Sequence, residues 1–386
     1  MAKNALSATL IVILVAFVGL SLATDEERVV RDAVEVAREL LESDDFYDQI
    51  AGAGTLVDIG DMESLQFLTD YMDHDDWSLQ RAAIDMMLSV QHPAGLDLIY
   101  RLASIRTTGV FMKFLTESIA SKPREDMAEF LMGALVQSDD PWIQRYALQA
   151  LAIMPVDDKE ARITAFAEAE STYATARAYA YYVLMDTPSR EKSLAKLIEI
   201  SSSGDNQAQE AAAVGLGLVD NDETKAALAY MRSLDSPTVQ IAALTSAAGF
   251  GVEDAISQLI DTIVNGKGLD SSVAAASIRR VPADVAVQIS ETLLSCCELS
   301  SDSGTRLIES WGWIDADPAK IYAWSLRHEN SDIRMQGVWL VGQREDSEYL
   351  DEIIPMLKDD DSGIRGMAAW SIVRLLGDKY DPGVEI

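Results

Sequence analysis

Apolar and small residues recur along the chain in two nested rhythms, every three to four residues within a segment and about every 32 residues between segments. The clearest segment is Asp360–Gly377, DDSGIRGMAAWSIVRLLG. Its acidic turn offers carbonyl and carboxylate acceptors to a first helical turn, Ile364, Ala368, Ser371 and Ile372 then share one face, and Gly377 ends the run. The phrase NSDIRMQGVWLVG at 330–342 repeats it, with Ile333, Arg334 and Trp339 in place of Ile364, Arg365 and Trp370. The same start recurs at Tyr47, Leu79, Phe111, Ile143, Ala176, Ala208, Val239, Val273, Thr305, Ile333 and Ile364, at intervals of 28 to 34 residues and least regularly at Val273 and Thr305. Alanine stands four residues on at Ala51, Ala83, Ala147, Ala180, Ala212, Ala243 and Ala368, where a small side chain lets neighbouring helices approach closely.

Second helices fill the intervals, several opened by proline: Pro93, Pro123, Pro282 and Pro318. The turns are rich in aspartate, serine and asparagine, and no alternating strand pattern of useful length occurs. The pattern predicts an all-α fold, a right-handed α-solenoid of about eleven stacked two-helix repeats over 47–377, each burying its apolar face against its neighbours. Ahead of it, Thr24 and Glu27 have capping-box spacing, and Val29, Val30, Ala33, Val34, Ala37, Leu40 and Leu41 recur at helical intervals, which predicts a capping helix over 24–46. Residues 378–386 form a short tail.

Residues 5–23, ALSATLIVILVAFVGLSLA, follow Lys3 and end in Ser-Leu-Ala before Thr24. That is the pattern of a signal peptide, and it predicts an exported protein, periplasmic or extracellular, beginning at Thr24. The run is also nearly long enough to serve as an uncleaved membrane anchor with the repeats outside the cytoplasm. Charge does not separate the two, because Lys3 on one side is balanced by Arg28 and Arg31 among Asp25, Glu26 and Glu27 on the other.

With 48% hydrophobic residues the chain is not of the disordered class, and 63 acidic against 31 basic residues give a formal charge of −32. Such a charge repels phosphate backbones and anionic lipid, so nucleic acid is excluded as a partner and membrane contact is confined to 5–23 if that segment is retained. The two cysteines are adjacent, Cys296 and Cys297, with alpha carbons about 3.8 Å apart, closer than ordinary disulfide geometry prefers. They are expected to be unbridged, small core residues of a helix. Three histidines, His74, His92 and His328, are too few for most metal sites, and His74 in DHDD reads as part of a helix cap. No phosphate loop, serine elbow or Cys–His spacing occurs, and neither a metal nor a cofactor is implied.

Two rows carry the candidate binding residues. Arg81, Lys113 and Arg145 each lie two residues after a recurring start and off the apolar stripe, with Asp85 and Glu117 placed to neutralise the first two. Trp311, Trp339 and Trp370 each follow an arginine by five residues, at a phase where other repeats carry the polar residues Asp85, Glu117, Gln149, Thr245 and Arg279. Three tryptophans there predict an aromatic patch open to solvent, with Arg334 and Arg365 positioned to steer an acidic or polar group toward it; the alternative is that the rings fill gaps between repeats near the C-terminal end.

The phrases DDDSGIRGMAAWSIVRLLG, NSDIRMQGVWLVG and SPTVQIAALTSAAG resemble HEAT repeats, specifically the short class named after phycobilisome lyases. The resemblance spans 47–377. It implies that the arginine-bearing helices line a concave surface, and the class includes scaffolds, lyase subunits and metal enzymes alike. The arginine of the pattern is kept at Arg177, Arg306, Arg334 and Arg365 but is glutamine at Gln80, Gln144, Gln209 and Gln240, which interrupts any arginine–aspartate ladder. HEAT-type di-iron hydroxylases present several His-Glu pairs, whereas His328-Glu329 stands alone here. The expectation is an exported, non-enzymatic scaffold binding a protein or peptide along its concave face. Its rivals are an enzyme or lyase-like subunit holding a small molecule at the tryptophans, and a membrane-anchored assembly factor.

Overall fold

The computed structural model describes residues 26–106 and 109–379; the signal or anchor segment 1–23, Thr24 and the tail from 380 lie outside them. Among the described residues the fold is all-α, with no strand. Helix α1 covers 26–41. It is followed by α2 (Phe46–Asp58), α3 (Met62–Tyr71), α4 (Trp77–Ser89), α5 (Pro93–Ile105), α6 (Val110–Ser121), α7 (Ala128–Gln137), α8 (Pro141–Leu151) and α9 (Lys159–Glu168). Next come α10 (Ala174–Val183), α11 (Arg190–Ser203), α12 (Asn206–Leu216), α13 (Asp222–Met231), α14 (Pro237–Gly249), α15 (Glu253–Asn265) and α16 (Leu269–Ser277). The last are α17 (Ala283–Cys296), α18 (Ser301–Trp311), α19 (Ala319–Ser325), α20 (Ser331–Arg344), α21 (Leu350–Ile353) and α22 (Ser362–Leu376). Each recurring start lies in an even-numbered helix, from α2 to α22. None of the described helices is long and apolar enough to cross a membrane.

The acidic turns act as helix caps. Asp45, Asp76, Asp140, Asp205 and Asp361 each accept a hydrogen bond from a first-turn amide of the even-numbered helix that follows. His74 belongs to one such turn, its Nδ1 accepting from the amide of Asp76 at 3.0 Å.

The residue after the recurring start, arginine in some repeats and glutamine in others, does one job in both forms, Arg306 excepted, which pairs with Glu309 instead. Gln80 donates to the Met72 carbonyl at 2.7 Å, Gln144 to Ser138 at 2.8 Å, Gln209 to Ser201 at 3.1 Å and Gln240 to Leu234 at 2.5 Å. Arg334 donates to the carbonyls of His328 and Glu329 at 2.8 and 2.9 Å, Arg365 to those of Asp359 and Asp360 at 2.8 and 3.2 Å, and Arg177 to Ala167, Ala169 and Thr172. Those carbonyls end the preceding odd-numbered segment and have no intrahelical partner of their own. The exchange of arginine for glutamine therefore keeps the staple. It also removes Arg334 and Arg365 from the steering role expected of them, because their guanidinium groups are already engaged with the backbone.

Ala83, Ala147, Ala180, Ala212, Ala243 and Ala368 are fully buried, as their spacing predicts. The irregular repeats resolve differently. Val273 is 42% exposed, and the buried positions are Ser271 and Ser303, whose hydroxyls bond to each other. The frame in α16 and α18 thus begins two residues earlier than Val273 and Thr305. Serines seven residues into this frame tie successive even helices: Ser246 donates to the Ala213 carbonyl, Ser310 to Ala275 and Ser371 to Val338, at 2.8 to 3.1 Å.

The chain divides into two compact units, one of residues up to Leu98 together with those from Val338 on, the other Ile99–Gly337. Neither boundary is a linker, since Leu98 lies inside α5 and Val338 inside α20. In the first unit the two chain ends meet, and α2 packs against α22. A Cβ on Gly366 of α22 would come within 3.0 Å of Leu40 and 3.6 Å of Ala51, and Lys379 pairs with Glu26. Helix α1 was expected to cap a free end of the stack; its Leu40 instead faces the last even helix. Arg374 donates to the Ser89 carbonyl at 3.2 Å and lies 3.7 Å from Glu345, whose other contact is Gln91 at 3.1 Å. Asp58 closes this junction: its Oδ1 accepts from the amides of Gln91 and His92 at 2.6 and 3.1 Å, while Oδ2 is buried without a hydrogen-bond partner.

The cysteines also depart from expectation. Helix α17 ends at Cys296, Cys297 continues in an extended conformation, and the two sulfurs form a disulfide with Cys296 exposed. Leaving the helix between the two residues brings both thiols to one side, so they are neither unbridged nor core.

Two variants test this account by chemical denaturation. Arg365→Gln is expected to stay within about 1 kcal/mol of the parent, because glutamine makes the same bond elsewhere, and Arg365→Ala to lose about 1–3 kcal/mol by orphaning the Asp359 carbonyl. At Asp58, burial pushes the carboxyl above its ordinary value, against the opposing pull of the Gln91 and His92 amides and Arg374. Asp58→Asn keeps the Oδ1 acceptor and should match or exceed the parent at pH 7, whereas Asp58→Ala should lose about 1–3 kcal/mol. The penalty on the folded carboxylate is complete above its raised pKa and disappears as pH falls toward the unfolded value of about 4, so the advantage of asparagine should shrink with acidification.

Candidate functional site

The structure places the tryptophans in the core. Trp311, Trp339 and Trp370 are 3%, 7% and 3% exposed, which overturns the expected solvent-open patch. Trp311 lies eight residues into the shifted frame of α18, the position of Val341 and Ile372, and its indole donates to Ser290 of α17 at 3.0 Å. Trp370 is held against Gly342, where a Cβ would meet the ring at 2.7 Å, with the Arg374 guanidinium 5.3 Å from the ring centroid. A missing Cβ on the neighbouring helix makes the room that the polar phase did not advertise.

The basic row is also occupied. Arg81 pairs with Asp85 at 3.9 Å, in the i,i+4 manner its spacing predicts, and Lys113 pairs with Asp140 at 2.8 Å rather than with Glu117. Exposed pairs of this kind contribute little to stability. Arg145 differs, because it reaches Glu210 of α12 at 2.9 Å, two even helices along, and both side chains are largely withdrawn from solvent. Its guanidinium lies 5.6 and 5.5 Å from the ring centroids of Tyr146 and Tyr179, within cation–π range.

A polar cluster builds around this residue within the second unit. Gln149 donates to the Tyr179 hydroxyl at 2.9 Å, and burial, reinforced by the Glu210 charge, pushes that phenol up to about 12. Facing Tyr179 and Tyr182 are Arg279 and Arg280, in the turn Ile278–Arg280 that ends α16. Arg279 is lowered to about 10 by burial and by the adjacent Arg280 charge, and it donates to the Ser121 carbonyl at the end of α6, at 3.4 Å. Burial also raises the Tyr182 phenol. Sequence reasoning reached Arg145 and read Gln149 and Arg279 as part of a solvated face, but missed Tyr179, Tyr182 and Glu210. The signal was an arginine eight residues into the frame of α16, where other even helices carry Ile119, Leu151 and Leu216; the misplaced start at Val273 hid it.

Large apolar side chains stand exposed at the starts of even helices. Trp77, the first residue of α4, is 65% exposed, and Phe46 and Tyr47 open α2 in the same unit. In the second unit Trp142 and Tyr173 stand at the starts of the neighbouring α8 and α10. Elsewhere, an open recess is lined by Glu125, Asp126, Glu129 and Asp157 with Ala128, Pro155 and Val156, a set holding carboxylates but no Ser, Cys, Lys or His. The Arg162 guanidinium bonded to Glu129 holds that carboxyl below its ordinary value. Among the described residues no group of three His, Cys, Asp or Glu is placed to hold a metal ion.

Compared with protein-family models and with curated proteins, the chain matches none.

Truncating Trp370 to alanine should cost about 3–5 kcal/mol, the loss typical of a buried aromatic, and Trp339→Ala a comparable amount. Denaturant midpoints at unchanged slope would check it; an effect under about 1 kcal/mol would place the rings outside the core.

Proposed function

We propose that the protein is a non-catalytic scaffold of the HEAT-like kind, binding a protein or peptide partner through the exposed starts of its even-numbered helices. The observation that supports this reading is the recurrence of exposed aromatics at or beside the first residues of even-numbered helices: Phe46, Tyr47 and Trp77 in the first unit, Trp142 and Tyr173 in the second. Core packing does not account for them, and tryptophan and tyrosine are the residues that most often anchor interfaces. Repeat proteins bind in this manner, through side chains that return at a fixed spacing. The rival reading, a small molecule held at the tryptophan row, loses its support because those rings are packed inside. Export, the signal segment and the anchored alternative rest on residues 1–23, and they belong to the proposal as read from the sequence.

The test pairs stability with capture. A Trp77→Ala, Trp142→Ala double variant should unfold within about 1 kcal/mol of the parent, since both side chains are exposed, and should retain partner from the native host's envelope at least tenfold less well. Equal retention by parent and variant would defeat the assignment of this surface.

A further inference from the structure

We propose that the starts of α2 and α4, with the turn between α3 and α4, form a docking surface for a basic polypeptide segment whose arginine or lysine side chains lie against its exposed rings. The inference rests on the scaffold reading and names the chemistry of the partner. Its first observation is a cluster of rings at the surface of the first unit. The ring centroid of Phe46 lies 6.0 Å from that of Tyr71 and 6.3 Å from that of His74. Tyr71 and His74 are nearly parallel with centroids 5.6 Å apart, and Phe67 adds a ring 4.8 Å from Tyr71. Phe46, Tyr47, His74 and Trp77 are exposed. The platform is braced before any partner arrives: the Tyr71 hydroxyl donates to Gln49 Oε1 at 2.8 Å, and Gln49 Nε2 donates to the Ser43 carbonyl at 2.5 Å. Rings already held in place lose little freedom on binding.

Charge decides what such a surface takes. Between Arg38 and Arg81 the chain has twelve carboxylates and neither lysine nor arginine, so residues 39–80 carry a formal charge of −12 out of −32 for the whole chain. Asp44 and Asp45 precede Phe46, and Asp73, Asp75 and Asp76 surround His74; all five are exposed, and the contact between the two rings gathers them at one place. The caps among them keep their charge, because Asp45 and Asp76 accept only from neutral groups, the amides of Tyr47, Asp48 and Ser78 and the Ser78 hydroxyl. Rings rimmed by carboxylates attract a cation twice, through the ring faces and through the carboxylate oxygens. Arginine meets both demands, since its guanidinium stacks on aromatic faces while its N–H donors engage carboxylates. The fold makes the ring contact internally, with Arg106 5.1 Å from the Phe111 ring centroid and Arg374 5.3 Å from that of Trp370. Residues 39–80 have no such cation of their own to offer.

Other occupants fit less well. A second copy of the chain, a nucleic acid or an anionic membrane would bring further negative charge to a surface already at −12. A neutral apolar partner would strip water from the carboxylate rim without supplying a counter-charge.

Fluorescence anisotropy of a labelled Arg-Gly-Ser repeat peptide, titrated with the full chain at about 0.15 M sodium chloride to screen distant charges, tests the proposal. Saturable binding is expected for this peptide and none for its Glu-Gly-Ser counterpart. Binding should weaken about tenfold in Phe46→Ala, Trp77→Ala, which leaves the charge untouched, and about threefold in Trp77→Ala alone, a side chain exposed enough that the fold is not at risk. Asp44→Asn, Asp75→Asn should weaken it more than Glu253→Gln, Asp284→Asn, which removes the same charge from exposed positions in the second unit. Absence of saturable binding, equal binding by the parent and both aromatic variants, or equal weakening by the two charge-removing pairs would overturn the proposal. The scaffold reading fails separately, when the Trp77→Ala, Trp142→Ala variant retains the native partner as well as the parent does.

Discussion

Seven of the repeats share one hydrogen-bond arrangement on which their turns depend, a side-chain N–H from the beginning of α4, α8, α10, α12, α14, α20 or α22 donated to carbonyls that end the segment before it. A helical hairpin leaves the last carbonyls of its first helix without partners just where the chain turns into the second. Water can satisfy them only if the turn stays open. Gln80, Gln144 and Gln209 satisfy them from buried positions, and Arg177, Arg334 and Arg365 do so with two or three bonds each. The turn can then close, the aspartate cap can settle on the first amides of the next helix, and the apolar stripe is presented at a fixed angle to its neighbour. A net effect near 1 kcal/mol per bond is modest singly, but it recurs along a fold whose stability is summed from local units.

Between neighbouring even helices the contacts are small and partly polar. Alanines allow close approach, and the hydroxyls of Ser246, Ser310 and Ser371 reach backbone carbonyls of the preceding even helix, bonds that survive only at a fixed relative height. The Ser271–Ser303 pair serves where the larger apolar starts are absent.

Much of this architecture was legible. The period, the alanines and the aspartate turns belong to local sequence, and they located all the even-numbered helices from α2 to α22. The candidate sites were less legible for physical reasons. Helical phase says which face a side chain leaves from but not what stands opposite, so the room that Gly342 leaves for Trp370 could not be seen from Trp370 alone. A shift of two residues at Val273 moved Trp311 and Arg279 to the wrong face, and with Arg279 went the second half of the arginine–tyrosine cluster. Arg145 was visible by its spacing, yet its partner Glu210 lies 65 residues away, beyond any local rule. Cys297 escaped because a helix end one residue earlier changes which way a side chain turns.

The pairing of α2 with α22 has a consequence for biosynthesis. Residues 26–98 leave the ribosome well before α22, the helix whose surface covers Leu40 and Ala51. At translation rates of roughly 5–20 residues per second, the intervening 240 or so residues take about 10 to 50 s to appear. Ile99–Gly337 can meanwhile complete its own contacts as it emerges. The early segment has to wait, its apolar stripe uncovered.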